Sequence, residues 1–479
     1  MMNNVARAEA PPIPPVSLKN LTVAFVASAL LLMLSLSADL FNDGDTSWHL
    51  AAGRLILETW TVPDVDPFSF TFLGKPWIAH EWLAEVLMAV AYGAAGWGGL
   101  AVLTVSAAGI LFLLIGSFAR RHMPPVHVAG LLTAVFLVLA PFTLARPHVI
   151  AWPLLACWTL LLLRARDADR TPPIAASLLM LGWANLHGSF VFGLLLIGPF
   201  ALEALLQSKD KLVTCKQWGL FGAASLALSF ITPHGVHGLL FPLQVSSMET
   251  LHMIQEWRPT IPSEMAGFTA VLLATIFFAL HKGLKLPVIR LLLLVALLFL
   301  AFQHVRHQAV LAIVGALILI EPIGRTTRHV EGSPGGLSFR PAIVACLVLV
   351  LIVVRLAIPT EQPQSATNPA KAIDGLRAEL RTMPVLNSYS FGGPLIMNGI
   401  QPYIDGRADM YGDDFMREFS KITGGDLPAF NRAVQRWDIR WTILAPDEAI
   451  VSALDRSTGW SRIYTDQWAV IHVRRMPPR

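Results

Sequence analysis

The sequence predicts an α-helical polytopic membrane protein of about eleven transmembrane helices, followed by a small C-terminal extracytoplasmic α/β domain. Three observations predict it. Of 479 residues, 54% are hydrophobic and only 14% charged, against about 25% charged in soluble domains. Apolar runs of near-spanning length recur up to residue 358, whereas beyond residue 360 the runs shorten and polar content becomes ordinary. Basic and less basic connections alternate between the runs, the pattern expected when Lys and Arg collect in cytoplasmic loops.

The first run, 21–38, has no small-residue cleavage site after it, so it reads as an uncleaved first helix and not a secretory signal. Further runs lie at 98–118, 126–142, 148–163, 174–186, 190–206, 218–231, 266–280, 288–302, 310–320 and 342–358. Several fall short of the ~20 residues of a full span, so their ends extend into polar flanks. Basic connections at Arg120-Arg121, 164–170, 209–216, 282–285 and 325–340 are assigned inside; those at 145–148, 185–188, 232–263 and 304–307 are assigned outside. With Arg7 and Lys19 placing the N-terminus in the cytoplasm, only one crossing fits between Asp39 and Arg120. Segment 80–95, with Glu81 and Glu85 on one helical face, therefore reads as an amphipathic helix in the outer interface, and 98–118 as the span.

The division is a membrane domain over 1–359, with an outer loop at 39–97, and an extracytoplasmic domain over 360–479. In the latter, 384–389, 402–405, 441–444 and 469–473 read as strands, and 413–421, 427–437 and 447–454 as helices, with 371–380 a linking helix. The three cysteines lie in or beside apolar runs and none follows Thr360, so no outer disulfide framework exists; this fits a bacterial plasma membrane. A net charge of +4 spread over short loops argues against a nucleic-acid partner.

Ionisable residues at a membrane boundary are functional-site candidates by default. Asp43, Asp45, His49, His80, Glu81, Arg146, His148, His187, Glu256, Arg258, His304, Arg306 and His307 all fall on the predicted outer side. Bland readings stand beside them. Asp43 and Asp45 precede a helix-like run, where Asp is a favoured N-cap, so capping alone and capping with catalysis are both open. Asp64 and Asp66 beside Pro67 read as turn chemistry, as does 232–237. His187 ends a short span and reads as an interfacial residue, and Asp405-Gly406-Arg407-Ala408-Asp409 as a strand end and turn with substrate binding as the alternative. A divalent cation stays open as a cofactor, but no spacing matches two His at i and i+4 with Glu between, so metal ligands are unknown.

The acidic motif directly after the first span, then Gly53-Arg54-Leu55-Ile56-Leu57, Val62-Pro63, the Trp82-Leu83 pair and a span ending in Ala119-Arg120-Arg121, resembles the GT-C superfamily of integral-membrane glycosyltransferases, in particular relatives of protein mannosyltransferases and aminoarabinose transferases. The resemblance covers roughly the first 170 residues in detail. It implies a hexosyl- or pentosyl-type glycosyltransferase that takes sugar from a polyprenyl-phosphate-linked donor in the membrane lipid to a glycan, lipid or protein acceptor of the cell envelope. Asp45 matches the superfamily's first-loop catalytic carboxylate, with Asp43 second, although Thr46 follows where an Asp-Glu pair is usual. Catalytic candidates are thus Asp45, Asp43 and Glu81, and substrate-binding candidates His49, His80, Arg146, His148, Arg258, His304, Arg306 and His307. The tail is similar in element order to the outer domain of oligosaccharyltransferases, but Ser388-Tyr389-Ser390-Phe391-Gly392 stands where their Trp-Trp-Asp-Tyr-Gly motif would be, so peptide glycosylation is not carried over. A transporter or flippase, or a non-catalytic assembly subunit, is the competing class; transporters favour repeats and midplane polar sites, and no repeat is found.

Overall fold

The structure, a computed structural model, describes residues 18–327, 349–350 and 352–475. Arg7, the basic stretch beyond residue 327 and most of the run expected over 342–358 lie outside the described residues. Helix α1 (Leu18–Leu36) leads through a short 3-10 turn to α2 (Asp45–Thr59), and a loop then reaches α3 (Trp82–Ala119). Nine more helices follow: α4 (Pro125–Leu139), α5 (Pro147–Asp167), α6 (Leu178–Leu186), α7 (Phe190–Gln207), α8 (Lys211–Ser229), α9 (Val236–Ser246), α10 (Ala266–Lys282), α11 (Val288–Gln303) and α12 (His307–Thr326).

Among the described residues, five helices are long and apolar enough to cross a membrane: α3, α4 with its 3-10 extension to Phe142, α5, α7 and α12. Four shorter apolar helices join them, over Val26–Leu36, Ile174–Leu186, Ala266–Lys282 and Val288–Gln303. The chain is a multi-pass membrane protein. Its bundle has an apolar core, with Trp158 stacked on Phe221 at 5.4 Å and closed by Leu111, Ile115, Phe200, Ile313 and Val314.

Helix α3 is two helices in one. Ala95 (φ −152°) and Gly96 (φ 57°) leave helical geometry, and a Cβ on Gly99 would stand 2.0 Å from the Ala91 carbonyl oxygen. In a straight helix residues eight apart are separated by about 12 Å. The chain therefore folds back sharply at the boundary between the two segments that the sequence distinguishes. Trp82, opening the first half, donates from Nε1 to Asn185 Oδ1 at the end of α6 (2.7 Å).

The C-terminal segment carries a four-stranded sheet in the order β1-β2-β4-β3: β1 (Val385–Asn387), β2 (Trp441–Leu444), β3 (Trp460–Thr465) and β4 (Val470–Arg474). β1 and β2 are parallel, the others antiparallel. β2 is buried along its length, since both sheet faces are covered. Trp441 and Ile443 pack with Phe391 and Ile373 on one face, and Leu444 with Phe430 and Tyr403 on the other. Helices Ala408–Thr423, Leu427–Trp437 and Ala449–Arg456 cover the second face.

Three local expectations differ. Residues 402–405 form no strand, because Pro402 has no donor and the Asn387 side chain takes the Tyr403 N–H (2.8 Å) and donates to the Ile404 carbonyl (2.8 Å). Strand β3 departs from the expectation: it is an edge strand with only Trp460 buried, so it lacks an apolar pattern. The linking helix over 371–380 is two short pieces, Ala370–Asp374 and Ala378–Arg381.

Candidate active site

Asp43 and Asp45 stand where the 3-10 turn after α1 passes into α2. Gly44 is the N-cap of α2, and Asp43 just before it steadies the first turn: its Oδ1 accepts the Asp45 N–H (3.4 Å) and its Oδ2 the Thr46 hydroxyl (3.3 Å). Asp45, in the first turn of α2, is left to face Arg146, the residue that precedes α5.

Arg146 gathers three carboxylates. Its Nη2 lies 2.7 Å from Asp45 Oδ2, its Nε 3.3 Å from Asp43 Oδ2, and its Nη1 pairs with Glu256 Oε1. Glu256 comes from the short turn Gln255–Trp257, whose position is fixed by the start of α12: the Arg306 N–H donates to the Glu256 carbonyl (3.1 Å) and the Val305 N–H to that of Arg258 (3.0 Å). Burial pushes the Asp45 carboxyl up to about 7; Arg146 opposes this, while Asp43 and Glu256 add to it. Asp43 is raised for the same first reason. Burial works against the Glu256 carboxylate too, but there Arg146 and Arg306 prevail and hold it at about 2. The cluster thus carries one carboxyl poised near neutrality beside a firmly ionised one.

A second group adjoins it. Glu81 and Glu85, one helical turn apart, bracket His49 of α2: Nδ1 to Glu85 Oε1 is 3.1 Å and Nε2 to Glu81 Oε2 is 3.7 Å. Glu81 Oε1 also meets His80 Nε2 (3.4 Å) and His187 Nε2 (3.3 Å). His187 Nδ1 accepts the Ser189 N–H (3.0 Å), which leaves the proton on Nε2, toward Glu81. Burial disfavours charge on His80, yet neighbouring Glu81 outweighs it and raises the imidazole above its ordinary value. Burial keeps His49 neutral, down to about 3. Among the described residues no group of three His, Cys, Asp or Glu side chains converges as metal ligands, and Arg146 occupies the space between Asp43, Asp45 and Glu256.

The C-terminal segment lies directly on this motif. A Cβ on Gly406 would stand 1.7 Å from Asp45 Oδ1, and one on Gly393 2.0 Å from the Gly44 carbonyl oxygen. Only glycine allows either approach. The docking is anchored by buried Arg407, which donates to Asp405 from Nε (2.8 Å) and Nη2 (2.6 Å) and to Asp66 from Nη1 (2.7 Å). Thr71 reinforces it through the Tyr403 carbonyl (2.7 Å). Asp409 approaches His80, and burial pushes it up to about 6.

The remaining expected residues divide. His148 adjoins Arg146 in α5, its Nε2 bonded to the Phe142 carbonyl (2.7 Å). His304 and His307 form an aromatic cluster with Trp257, their centroids 5.3 and 6.2 Å from its ring, and each is bonded to a backbone carbonyl. The Arg306 guanidinium lies 4.5 Å over Trp257 and, among the described residues, makes no ion pair. Arg258 is exposed, and its carbonyl is the group in use. Glu256 and His187 stand in the site although sequence reasoning gave them no role. The signal for both was their place in predicted outer loops. Among the described residues a buried atom here, Glu85 Oε2, has no hydrogen-bond partner. In a native site such atoms await a ligand or water.

No protein-family model and no curated protein matches the sequence. A solved structure is similar in fold: the apo crystal structure of the oligosaccharyltransferase of Archaeoglobus fulgidus, with TM-score 0.53 and 11% identity over 88% of this chain and 69% of that one. The chain shares its fold with that membrane oligosaccharyltransferase. At this identity the likeness is one of fold.

Proposed function

We propose that the protein is a glycosyltransferase that moves a sugar from a polyprenyl-phosphate-linked donor to an envelope acceptor at the outer face of the membrane. One observation carries the reading: Asp45 of the first loop, half-buried beneath Gly406, is held by Arg146 and poised near neutral pH. A general base works best with such a pKa. The GT-C-type fold supports it. So does the distribution of charge, which gathers at the two ends of α5, at Arg146 and at the Arg166–Glu203–Arg290 group, about 30 Å apart along a 21-residue helix.

In the proposed reaction Asp45 takes the proton of the acceptor hydroxyl as its oxygen bonds to the sugar's anomeric carbon. The bond from that carbon to the phosphate oxygen breaks, and the lipid phosphate leaves as an anion. Arg146 holds Asp45 in place and is itself satisfied by carboxylates. Arg306, which has no ion pair among the described residues, is the cation free to receive the departing phosphate. Glu81, with His49, His80 and His187, forms the adjoining group and fixes the protonation of the rings.

The test is a deletion strain complemented with wild type or Asp45→Asn, with mass spectrometry of envelope glycans and polyprenyl-linked sugars. Wild type restores one glycan and consumes its lipid donor. Asp45→Asn slows transfer about 10²–10⁴-fold and leaves the donor accumulated. Full rescue by Asp45→Asn removes the assignment.

A further inference from the structure

A cavity of about 400 Å³ lies on the side of α2 turned away from Arg146 and is used by no step above. Its wall includes Ser47 and Arg54 of α2, Tyr92 and Trp97 at the bend of α3, and Glu361 and Gln362. Ser47 is two residues beyond Asp45, hence about 200° around the helix from it. The packing of Gly393 against Gly44 closes the direct way between the two sites.

The cavity sits at a membrane boundary. The second half of α3 is a candidate span, and Gly98, at its start, is within van der Waals reach of Leu356. Leu349, Val350, Val353, Val354, Leu356 and Ile358 expose apolar side chains, and that apolar surface ends just before Glu361. Tyr and Trp at such a level mark the head-group layer of a bilayer.

Its charges are unusual. Arg54 rests on the Tyr92 ring at 4.8 Å and contacts Met397 Sδ, while Glu361 is exposed. Both line the cavity, and among the described residues neither is paired with the other or with any further charge. One free cation and one free anion facing a single polar cavity match a ligand that carries both signs.

We infer that this cavity holds the head group of a zwitterionic phospholipid with a primary ammonium. The phosphate lies on Arg54, which presents a planar fork of donors, and the ammonium on Glu361, which accepts from N–H donors. Gln362 links the occupant to the catalytic motif, since its Nε2 faces the Phe41 and Asp43 carbonyls (3.3 and 3.5 Å) and its Oε1 the Ser47 hydroxyl (3.5 Å). A bound lipid would thereby tie α2, the α3 bend and the C-terminal segment together.

The full-length protein is reconstituted in nanodiscs of equimolar phosphatidylcholine, phosphatidylethanolamine and phosphatidylglycerol, and the lipids retained after release are identified by native mass spectrometry. Wild type retains phosphatidylethanolamine with about tenfold preference, the worth of one charged hydrogen bond. Arg54→Gln lowers the retention of all three lipids, since each carries the phosphate that Arg54 holds. Glu361→Gln, at an exposed position that does not threaten folding, removes the carboxylate that selects the primary ammonium and so loses the preference, raising the share of phosphatidylglycerol, whose anionic head group is no longer repelled. Retention by wild type of phosphatidylcholine or phosphatidylglycerol instead, or identical lipid profiles in wild type and Glu361→Gln, overturns the inference. Neither result touches the Asp45 assignment, which is read by sugar transfer.

Discussion

Two arginines, Arg146 and Arg407, each gather carboxylates from distant parts of the chain, and they are built differently. Arg407 is 1% exposed, paired with Asp405 and Asp66, and packed against the rings of Trp77 and Phe68 at 4.7 and 5.2 Å. Its partners are finished as well: Tyr411 donates to Asp405 Oδ2 (2.8 Å), and the Ser69 hydroxyl and N–H to Asp66 Oδ2. Arg146 has three carboxylates around one cation, with Asp45 19% and Glu256 31% exposed. Its surroundings keep an excess of negative charge and an opening. A sealed and satisfied pair holds parts together, whereas an open and unbalanced one can move a proton.

Removing the sealed arginine should have the largest effect on the fold. Arg407→Leu strands two buried carboxylates and should cost about 3–5 kcal/mol, undocking the C-terminal segment. Limited proteolysis would read this as rapid cleavage after residue 360, together with a fall in thermal stability. Arg146→Gln should leave that segment docked; equal proteolysis of the two variants would erase the distinction. A smaller effect is expected from pH. A base must be ionised, so transfer should fall about tenfold per unit below pH 7 and level off above it, following the Asp45 carboxyl near 7. Arg146 lowers that carboxyl, so Arg146→Gln should move the midpoint upward. A profile that is flat between pH 5.5 and 8 would remove Asp45 as the base.

The same contrast explains what could be seen in the sequence. Asp43 and Asp45 were legible because carboxylates at the end of an apolar run are costly unless used. Glu81 and Glu85 were legible as a pair because positions four apart share a helix face, and both do reach His49. The alternation of loops brings Arg146, His187, Glu256 and Arg306 to one end of the bundle. The Arg407 tie was hidden: Asp66 lies 341 residues away, and its local pattern with Pro67 is already explained by the turn, which its bonds to the Phe68 and Ser69 N–H groups do make. Gly406 was hidden too, because a glycine in a turn does not announce that a carboxylate from another segment must fit against it. Local periodicity predicts elements; it carries no information on which distant charge meets which.

Arg306 gives the smallest effect and the sharpest test of the open site. Of the three arginines among the substrate-binding candidates, Arg146 is already engaged and Arg258 is exposed, which leaves Arg306 on the face of Trp257. Because no carboxylate is ion-paired to Arg306 among the described residues, its removal breaks no salt bridge, in contrast to Arg407. Arg306→Gln should therefore leave thermal stability nearly unchanged while weakening use of a labelled polyprenyl-phosphate sugar about tenfold or more in kcat/KM, as expected for one charged hydrogen bond to phosphate. Arg306→Lys should recover part of the loss, since an ammonium still offers charge but not the planar fork. Glu256 would feel the change as well: without Arg306 one of the two cations that keep it ionised is gone. An unchanged donor kcat/KM in Arg306→Gln would return the phosphate to Arg146, and the contrast between an engaged and a free arginine would lose its functional meaning.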